Sequence, residues 1–488
     1  MKRKVFAIVM LAALCLGIAL PAQAEGTGSI TIENPIPSAT YQLYRIFSLE
    51  SISDQNFYLY SIENDWRNFF ATGGAGAPYI ELQGSHPVWK QKNAQGELDE
   101  TQKSEFAKAA RAYAEENSLS PQATVPGTSG KFGNLPSGYY LLVSSVGGNG
   151  SLVSLENGGQ VTIREKNTVS DITKSVVIRG AGVDLPTNTA AIGEDMDFIV
   201  NITLGEGACQ VRFVDEPSAG ITLNKGRIDV LYKKSEHGSW EDASDGTDYT
   251  KKDYPSDGGT GFELDFDDSF ISGVYGIVIA YTGILNEQAQ IFDETAEAPG
   301  KNQTNANTGT LYVKGWNKSS TTYTKTYGIE IVKHNAANTL LSGAEFSLYP
   351  VSENGYAISL VPTANGYRVA TANDKPEDKV TVIKTAGDPL RIVGLKGNRS
   401  YYLEEVKAPD GYNPLVGRQE IKIEDTNLYA SIGENNQVTG GVRVLNKTGP
   451  QLPSTGGTGT TVFYILGGGI AVAALVLLIV KKRMDREA

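Results

Sequence analysis

Three strand-like stretches near the C-terminal end of this sequence each run an apolar face into a polar side chain. Residues two apart share a face of a strand. Ile329 and Ile331 lead to Lys333, Tyr401 and Leu403 to Glu405, and Val442 and Val444 to Asn446. A single lysine in such a place is ordinarily a strand end whose ammonium reaches water. A lysine, an acid and an asparagine arriving together are the parts of a self-made crosslink. An amine in apolar surroundings loses its proton more readily and becomes a nucleophile. A carboxyl in the same surroundings holds its proton and can lend it to an amide carbonyl. Held in contact, lysine and asparagine can form an amide and release ammonia, with placement supplying most of the rate. The product also removes the cost of burying a lysine charge.

The same pattern occurs upstream. Ile172, Lys174, Val176 and Ile178 share one parity, Val211, Phe213 and Asp215 another, and Asn307, Gly309, Leu311 and Val313 a third. This selects Lys174 and Asn307 with Asp215 as assisting acid, while Glu263 competes as the acid and Asn305 as the amide. The opening strand, Ser29, Ile30, Thr31, Ile32, has no lysine, so no crosslink is expected there.

Both ends read as addresses. Lys2, Arg3 and Lys4, an apolar run from Val5 to Leu20, and Ala22, Gln23, Ala24 form a secretory signal with cleavage after Ala24. At the other end Leu452, Pro453, Ser454, Thr455 and Gly456 precede an uncharged run from Val462 to Val480, long enough as a helix to span a bilayer. Lys481, Lys482 and Arg483 follow as a cytoplasmic stop.

These chemistries need a rigid β framework, and the composition supplies one. Among 488 residues there are 54 Gly and 24 Tyr but only 4 Met, which favours turn-rich β structure over helical bundles. The pattern predicts three blocks, 25–168, 169–322 and 323–447, each of many short strands separated by turns, between the signal at 1–24 and the tail at 448–488. One helix is predicted from Asp99 to Asn117, with Phe106, Ala109, Ala110 and Tyr113 on one face. The Asn- and Thr-rich stretch Asn302 to Thr308 reads as a loop before a strand at Thr310 to Lys314. The net charge of −12 argues against nucleic acid as a partner. Three scattered histidines suggest neither a metal site nor a Ser-His-Asp hydrolase, and Asp265, Asp267 and Asp268 lack the glycine and closing glutamate of a calcium loop. No cofactor is expected. Removal of the leader leaves Cys209 as the single cysteine, so disulfides cannot brace the exported chain.

The pentapeptide, span and basic tail, in that order, resemble the cell-wall sorting signal of Gram-positive surface proteins. That resemblance implies a sortase cutting between Thr455 and Gly456. Leu403, Glu404, Glu405, Val406, Lys407, Ala408, Pro409, Asp410, Gly411, Tyr412 resembles the L-x-E-x-x-A-P-x-G-Y box of collagen-adhesin B-type domains, in which a Lys on the first strand and an Asn on the last form an isopeptide bond; Lys333 and Asn446 match those places. Phe213, Val214, Asp215, Glu216 with Gly220, Ile221, Thr222 resembles the Asp-bearing segment of pilin middle domains, and Tyr281 to Asn286 followed by Asn307 to Leu311 resembles the stretch leading to their bonding Asn. Gln160, Val161, Thr162, Ile163, Arg164, Glu165, Lys166, Asn167, Thr168 resembles the V-x-V-Y-P-K-N-T motif of backbone pilins, with Arg164 and Glu165 in place of Tyr and Pro. Val161 and Ile163 take the inward parity, so Lys166 takes the outward one.

The sequence is thus similar to the backbone pilins of Gram-positive sortase-assembled pili. The resemblance implies three tandem immunoglobulin-like β-sandwich domains, the first with an inserted helix, and a structural role rather than an enzymatic one. It also implies a covalent homopolymer in which a pilus-specific sortase joins Thr455 of one subunit to Lys166 of the next. A housekeeping sortase, accessory tip and base pilins and peptidoglycan are the further partners implied, with the product displayed on the cell wall. An accessory pilin or monomeric wall-anchored adhesin is the alternative, since it needs the signal and the crosslinks but not Lys166.

Overall fold

The structure is a computed structural model describing residues 27–52, 58–90, 97–156, 158–178, 183–255, 258–293, 304–433 and 437–449, with isolated positions between 465 and 476. The secretory signal and Leu452 to Gly456 lie outside the described residues, as does most of the run from 462 to 480. Among the described residues, no helix is long and apolar enough to cross a membrane.

The architecture is mainly β, and the sheets fall in three groups, 28–164, 171–325 and 327–445. The strand Trp316–Lys325 carries the middle group slightly past the boundary expected at 322. Close packing divides the chain into two compact units, 1–327 with 368–374 and 393–398, and 328–367 with 375–392 and 399–488, so the first two sheet groups share a unit.

In the first group, the opening strand Gly28–Glu33 lies between Lys131–Leu135, antiparallel, and Gln160–Arg164, parallel. Ile30 and Ile32 face inward, packed with Tyr41, Phe132 and Tyr140 of a core shared with a five-stranded second sheet. The other face of that sheet is covered by the helix Glu100–Glu116, through Phe106, Ala107 and Ala110 against Phe69 and Trp89. The helix begins where the sequence says it should. The Asp99 side chain accepts from the Gln102 amide while the Gln102 side chain accepts from the Asp99 amide, a capping box that satisfies two otherwise orphaned donors. Its buried stripe is turned from the expected one: Arg111 and Ala114 are buried, and Tyr113 only in part. Arg111 is tolerated there because it donates to the carbonyls of Ser144 and Asn149 and to Glu115.

Two six-stranded sheets face each other in the middle group. One holds Asp171–Ile178, Asp195–Thr203 and Gly276–Leu285; the other holds Arg212–Pro217, Asn305–Val313 and Trp316–Lys325. The expected loop at 302–308 is a strand from Asn305 onward, and its residues 302 and 303 lie outside the described ones. Asn and Thr composition suggests a turn, but here the strand is paired on both edges, and Asn305 satisfies its buried amide against the Gln290 backbone and the Thr324 carbonyl. Lys314 and Gly315 turn the chain into the next strand. A Cβ on Gly315, at φ +71°, would meet the Ser145 carbonyl at 1.7 Å, so only glycine fits. The Lys314 ammonium meanwhile reaches Glu115 of the helix at 2.7 Å.

In the third group, Tyr327–His334 pairs in parallel with Val442–Leu445, and Arg399–Lys407 lies in a four-stranded sheet between Ser342–Tyr349 and Gln419–Ile423. The alternation in Tyr327–His334 predicts one buried face, and the strand buries both. Glu330, on the second face, is held by Arg391 at 2.8 Å and by the Ala430 amide at 2.8 Å.

Candidate crosslinking sites

Lys333 enters its core from the second-to-last position of Tyr327–His334 and is 1% exposed. Its Nζ lies 2.9 Å from Glu405 Oε1 and 5.6 Å from the Phe346 ring. Glu405 comes from the other sheet, on the alternating strand whose Tyr401 and Leu403 are also buried. Its second oxygen accepts from Asn446 Nδ2 at 3.1 Å and from the Leu415 amide at 2.8 Å. Asn446 lies just past Val442–Leu445, on the face of Val442 and Val444; in register Lys333 sits opposite Val444. One carboxylate thus touches both prospective reactants. The contact between Lys333 and Glu405 is short but misses hydrogen-bonding direction, and both Lys333 Nζ and Asn446 Oδ1 are buried without a hydrogen-bond partner. Burial lowers the Lys333 pKa against the opposing pull of Glu405. A lysine held poorly as a cation beside an amide carbonyl with no donor of its own is what nucleophilic attack on that amide requires.

The middle site uses different geometry for the same three groups. Lys174 belongs to one sheet, Asp215 and Asn307 to the facing one. The Lys174 and Asp215 side chains are fully buried and ion-paired through Asp215 Oδ2. The rings of Phe198 and Tyr281 lie 5.6 Å from Lys174 Nζ. Burial, outweighing attraction to Asp215, pushes the Lys174 pKa down to about 8. In register Asp215 is opposite Gly309. A Cβ there would meet the Phe213 ring at 2.8 Å and Lys174 Cδ at 3.4 Å, so the absent side chain leaves the space through which the lysine reaches across. Both Asp215 Oδ1 and Asn307 Oδ1 are buried without partners.

Neither competitor shares this position. Glu263 is engaged by Arg212 at 2.8 Å, with Lys252 at 3.7 Å, and Asn305 has its amide filled by backbone. The residue that sequence reasoning missed is Tyr281. Its hydroxyl donates to Asp215 Oδ2 and accepts from Asn307 Nδ2 at 3.3 Å. A tyrosine in an alternating apolar strand reads as core, and nothing in spacing reveals what its hydroxyl meets across the sandwich.

Lys166 contrasts with both. It follows Gln160–Arg164, whose Val161 and Ile163 rest against the first core, and it is exposed, its ammonium without a hydrogen-bond or ion-pair partner among the described residues. Glu165 sets the loop: Oε1 accepts from the Lys166 amide, the Asn167 amide and Asn167 Nδ2, each at 2.8 Å. Asn167 in turn accepts from the Asn149 amide at 3.0 Å, and Asn149 Nδ2 returns to the Lys166 carbonyl at 3.0 Å. Where the backbone-pilin motif has a proline to fix the chain, this sequence uses a carboxylate. The acids near 265–268 serve as backbone caps: Asp267 accepts from Ser269 and Asp268 from the Gln210 amide. Among the described residues no group of His, Cys, Asp and Glu could hold a metal ion.

Comparison with known proteins adds the remaining context. Residues 445–486 match the LPXTG cell wall anchor motif, and residues 328–437 match the SpaA prealbumin-like fold domain. The trypsin-resistant surface T6 protein of Streptococcus pyogenes serotype M6 is 24% identical over 413 residues, covering 70% of this chain and 75% of its own. The solved structure of the T6 backbone pilin, described as a modular three-domain structure, covers 85% of each chain at 15% identity with a TM-score of 0.52, and so shares the fold. The full-length major pilin SpaD of Corynebacterium diphtheriae covers 83% of this chain and 93% of its own, at 15% identity and a TM-score of 0.45. Residues 445–486 thus carry an LPXTG cell wall anchor and residues 328–437 a prealbumin-like domain, and with its mainly β fold the chain is similar to the backbone pilins of Gram-positive cell-wall pili, which are structural subunits rather than enzymes.

Proposed function

We propose that this subunit polymerises through an amide between Thr455 of one copy and Lys166 of the next, and that it braces itself with amides from Lys333 to Asn446 and from Lys174 to Asn307. The observation that carries the reading is the division among three lysines. Lys174 and Lys333 are sealed beside an acid and an asparagine, whereas Lys166 stands in solvent on a loop fixed by Glu165. A pilus-specific sortase would hold the Thr455 carbonyl as a thioester until the Lys166 amine displaces it. A housekeeping sortase would do the same with peptidoglycan at the base, and accessory pilins would join by the same chemistry.

The test is mass spectrometry of wall extracts. The intact exported chain, residues 25–455, is expected to weigh about 34 Da less than its sequence, one ammonia for each of two amides. Peptides from the polymer are expected to join Thr455 to Lys166. A full sequence mass would overturn the internal bonds, a junction at another lysine would overturn Lys166, and a wild-type extract holding monomer alone would favour a wall-anchored adhesin.

The middle bond also has a distinctive pH dependence. Its reacting form, a neutral amine beside a protonated carboxyl, carries one proton in all, as does the ammonium–carboxylate pair. Closure therefore needs no net proton change and is expected to be level through neutral pH. It should slow above about pH 8, where Lys174 gives up its proton to solvent. A closure rate, followed by mass after synthesis, that climbed above pH 8 would contradict this scheme.

A further inference from the structure

The two sites differ in how the acid reaches the amide. Glu405 touches Asn446 Nδ2 directly at 3.1 Å. Asp215 is one methylene shorter, and the side chain of Asn307 makes its one hydrogen bond among the described residues to the Tyr281 hydroxyl, at 3.3 Å. That hydroxyl is itself bonded to Asp215 Oδ2, the oxygen that holds Lys174. Tyr281 comes from Gly276–Leu285, in the Lys174 sheet, so it closes the gap between acid and amide from the opposite side of the sandwich.

We propose that Tyr281 is a catalytic residue of the middle crosslink, its phenol passing the Asp215 proton to the departing nitrogen of Asn307. The proposal rests on the Lys174–Asn307 bond put forward above. In the reacting state Asp215 has taken a proton from the lysine, leaving a neutral amine. The amine attacks Asn307 Cγ, and a bond forms between Lys174 Nζ and that carbon. Tyr281 gives its proton to Nδ2 and receives one from Asp215 Oδ2. The bond between Cγ and Nδ2 breaks, ammonia leaves, and the proton shed by the new amide nitrogen returns to Asp215. A lysine amine and an asparagine amide have become one amide and one ammonia, with nothing oxidised or reduced. Burial and the neighbouring Asp215 charge hold the phenol firmly protonated at rest, so it acts by exchanging protons rather than by standing as phenolate.

Tyr281→Phe removes only the hydroxyl. It keeps the ring, which stacks on Phe198 at 5.4 Å and meets Phe262 edge-on at 5.1 Å. The experiment uses the exported chain carrying Lys333→Ala, so that only the middle bond can form, quenched in denaturant at intervals after synthesis and weighed. Loss of ammonia in the Tyr281→Phe chain is expected to be about a hundredfold slower than in its parent. Equal rates would overturn the proposal, while a parent that never loses ammonia would overturn the crosslink itself. Thermal melting of an Asn307→Ala chain with and without Tyr281→Phe separates chemistry from packing. Equal midpoints are expected, and a large drop would assign the hydroxyl a structural role instead.

Discussion

Asn446→Ala should lower the thermal midpoint of the unit built around 328–367 and 399–449 by about 15–20 °C, and remove one of the two ammonia losses from the intact mass. The substitution leaves Lys333 and Glu405 in place and takes away the carboxamide: the carbon that the amine attacks, and the Nδ2 that donates to Glu405 and to the Asn413 carbonyl. The proposed bond from Lys333 to Asn446 would close a loop of roughly 110 residues, and a crosslink over that length lowers the unfolded chain's entropy by about 4–5 kcal/mol. At about 4 °C per kcal/mol for a domain of this size, the midpoint shift follows. A second signature is pH dependence. In the unlinked variant, Lys333 holds its proton less tightly when folded than the ordinary value of 10.5. Between the lowered value and 10.5 the unfolded chain binds more protons, so stability rises with pH across that window and is lower below it. In the linked protein this lysine no longer titrates, and that slope is absent. Differential scanning calorimetry of both proteins across this range is the check. An Asn446→Ala midpoint within a few degrees of wild type, with unchanged mass loss, would falsify the assignment.

Lys166→Ala should convert the high-mass ladder of a denaturing wall-extract gel into monomer. The expected loss is near complete, because each junction consumes one acceptor amine and a chain cannot grow past a subunit lacking it. Folding should be untouched: the side chain is exposed and unpartnered, and such surface changes ordinarily alter stability by about 0.5 kcal/mol or less. The monomer should therefore still show both ammonia losses and still reach the wall through Thr455. Lys108→Ala, at an exposed helix position in the same unit, should leave the ladder intact. A ladder persisting in Lys166→Ala would move the junction to another lysine.

Much of this is legible in the sequence. Period-two patterning led to Lys333, Glu405 and Asn446, because a polar residue on an apolar face is conspicuous wherever it sits, and the structure brings the three together. The helix was readable too, since Asp99 and Gln102 form a local capping box. What escaped depended on contacts remote in sequence. Asn305 looked like loop until its amide found the Gln290 backbone and the Thr324 carbonyl, and Glu330 could not be seen as buried without Arg391. Tyr281 was hidden because its aromatic ring explains its place in an apolar strand, whereas its hydroxyl works through residues on the facing sheet. Glu165 looked like a departure from a motif; only the hydrogen bonds it accepts reveal what it does in place of proline.

The parallel pairing of Gly28–Glu33 with Gln160–Arg164 brings the two ends of the first sheet group side by side, with Lys166 only two residues beyond. If the two proposed internal bonds form and tension enters each subunit at Lys166 and leaves at Thr455, it runs through Lys174, across to Asn307, on to Lys333 and across again to Asn446. Residues 28–164 then hang beside the load path rather than within it. The proposed bridges would also take residues 175–306 and 334–445 out of any extension. A domain that bears no load needs no bridge, and Ile30 and Ile32 can fill the first core where the other two groups carry a lysine.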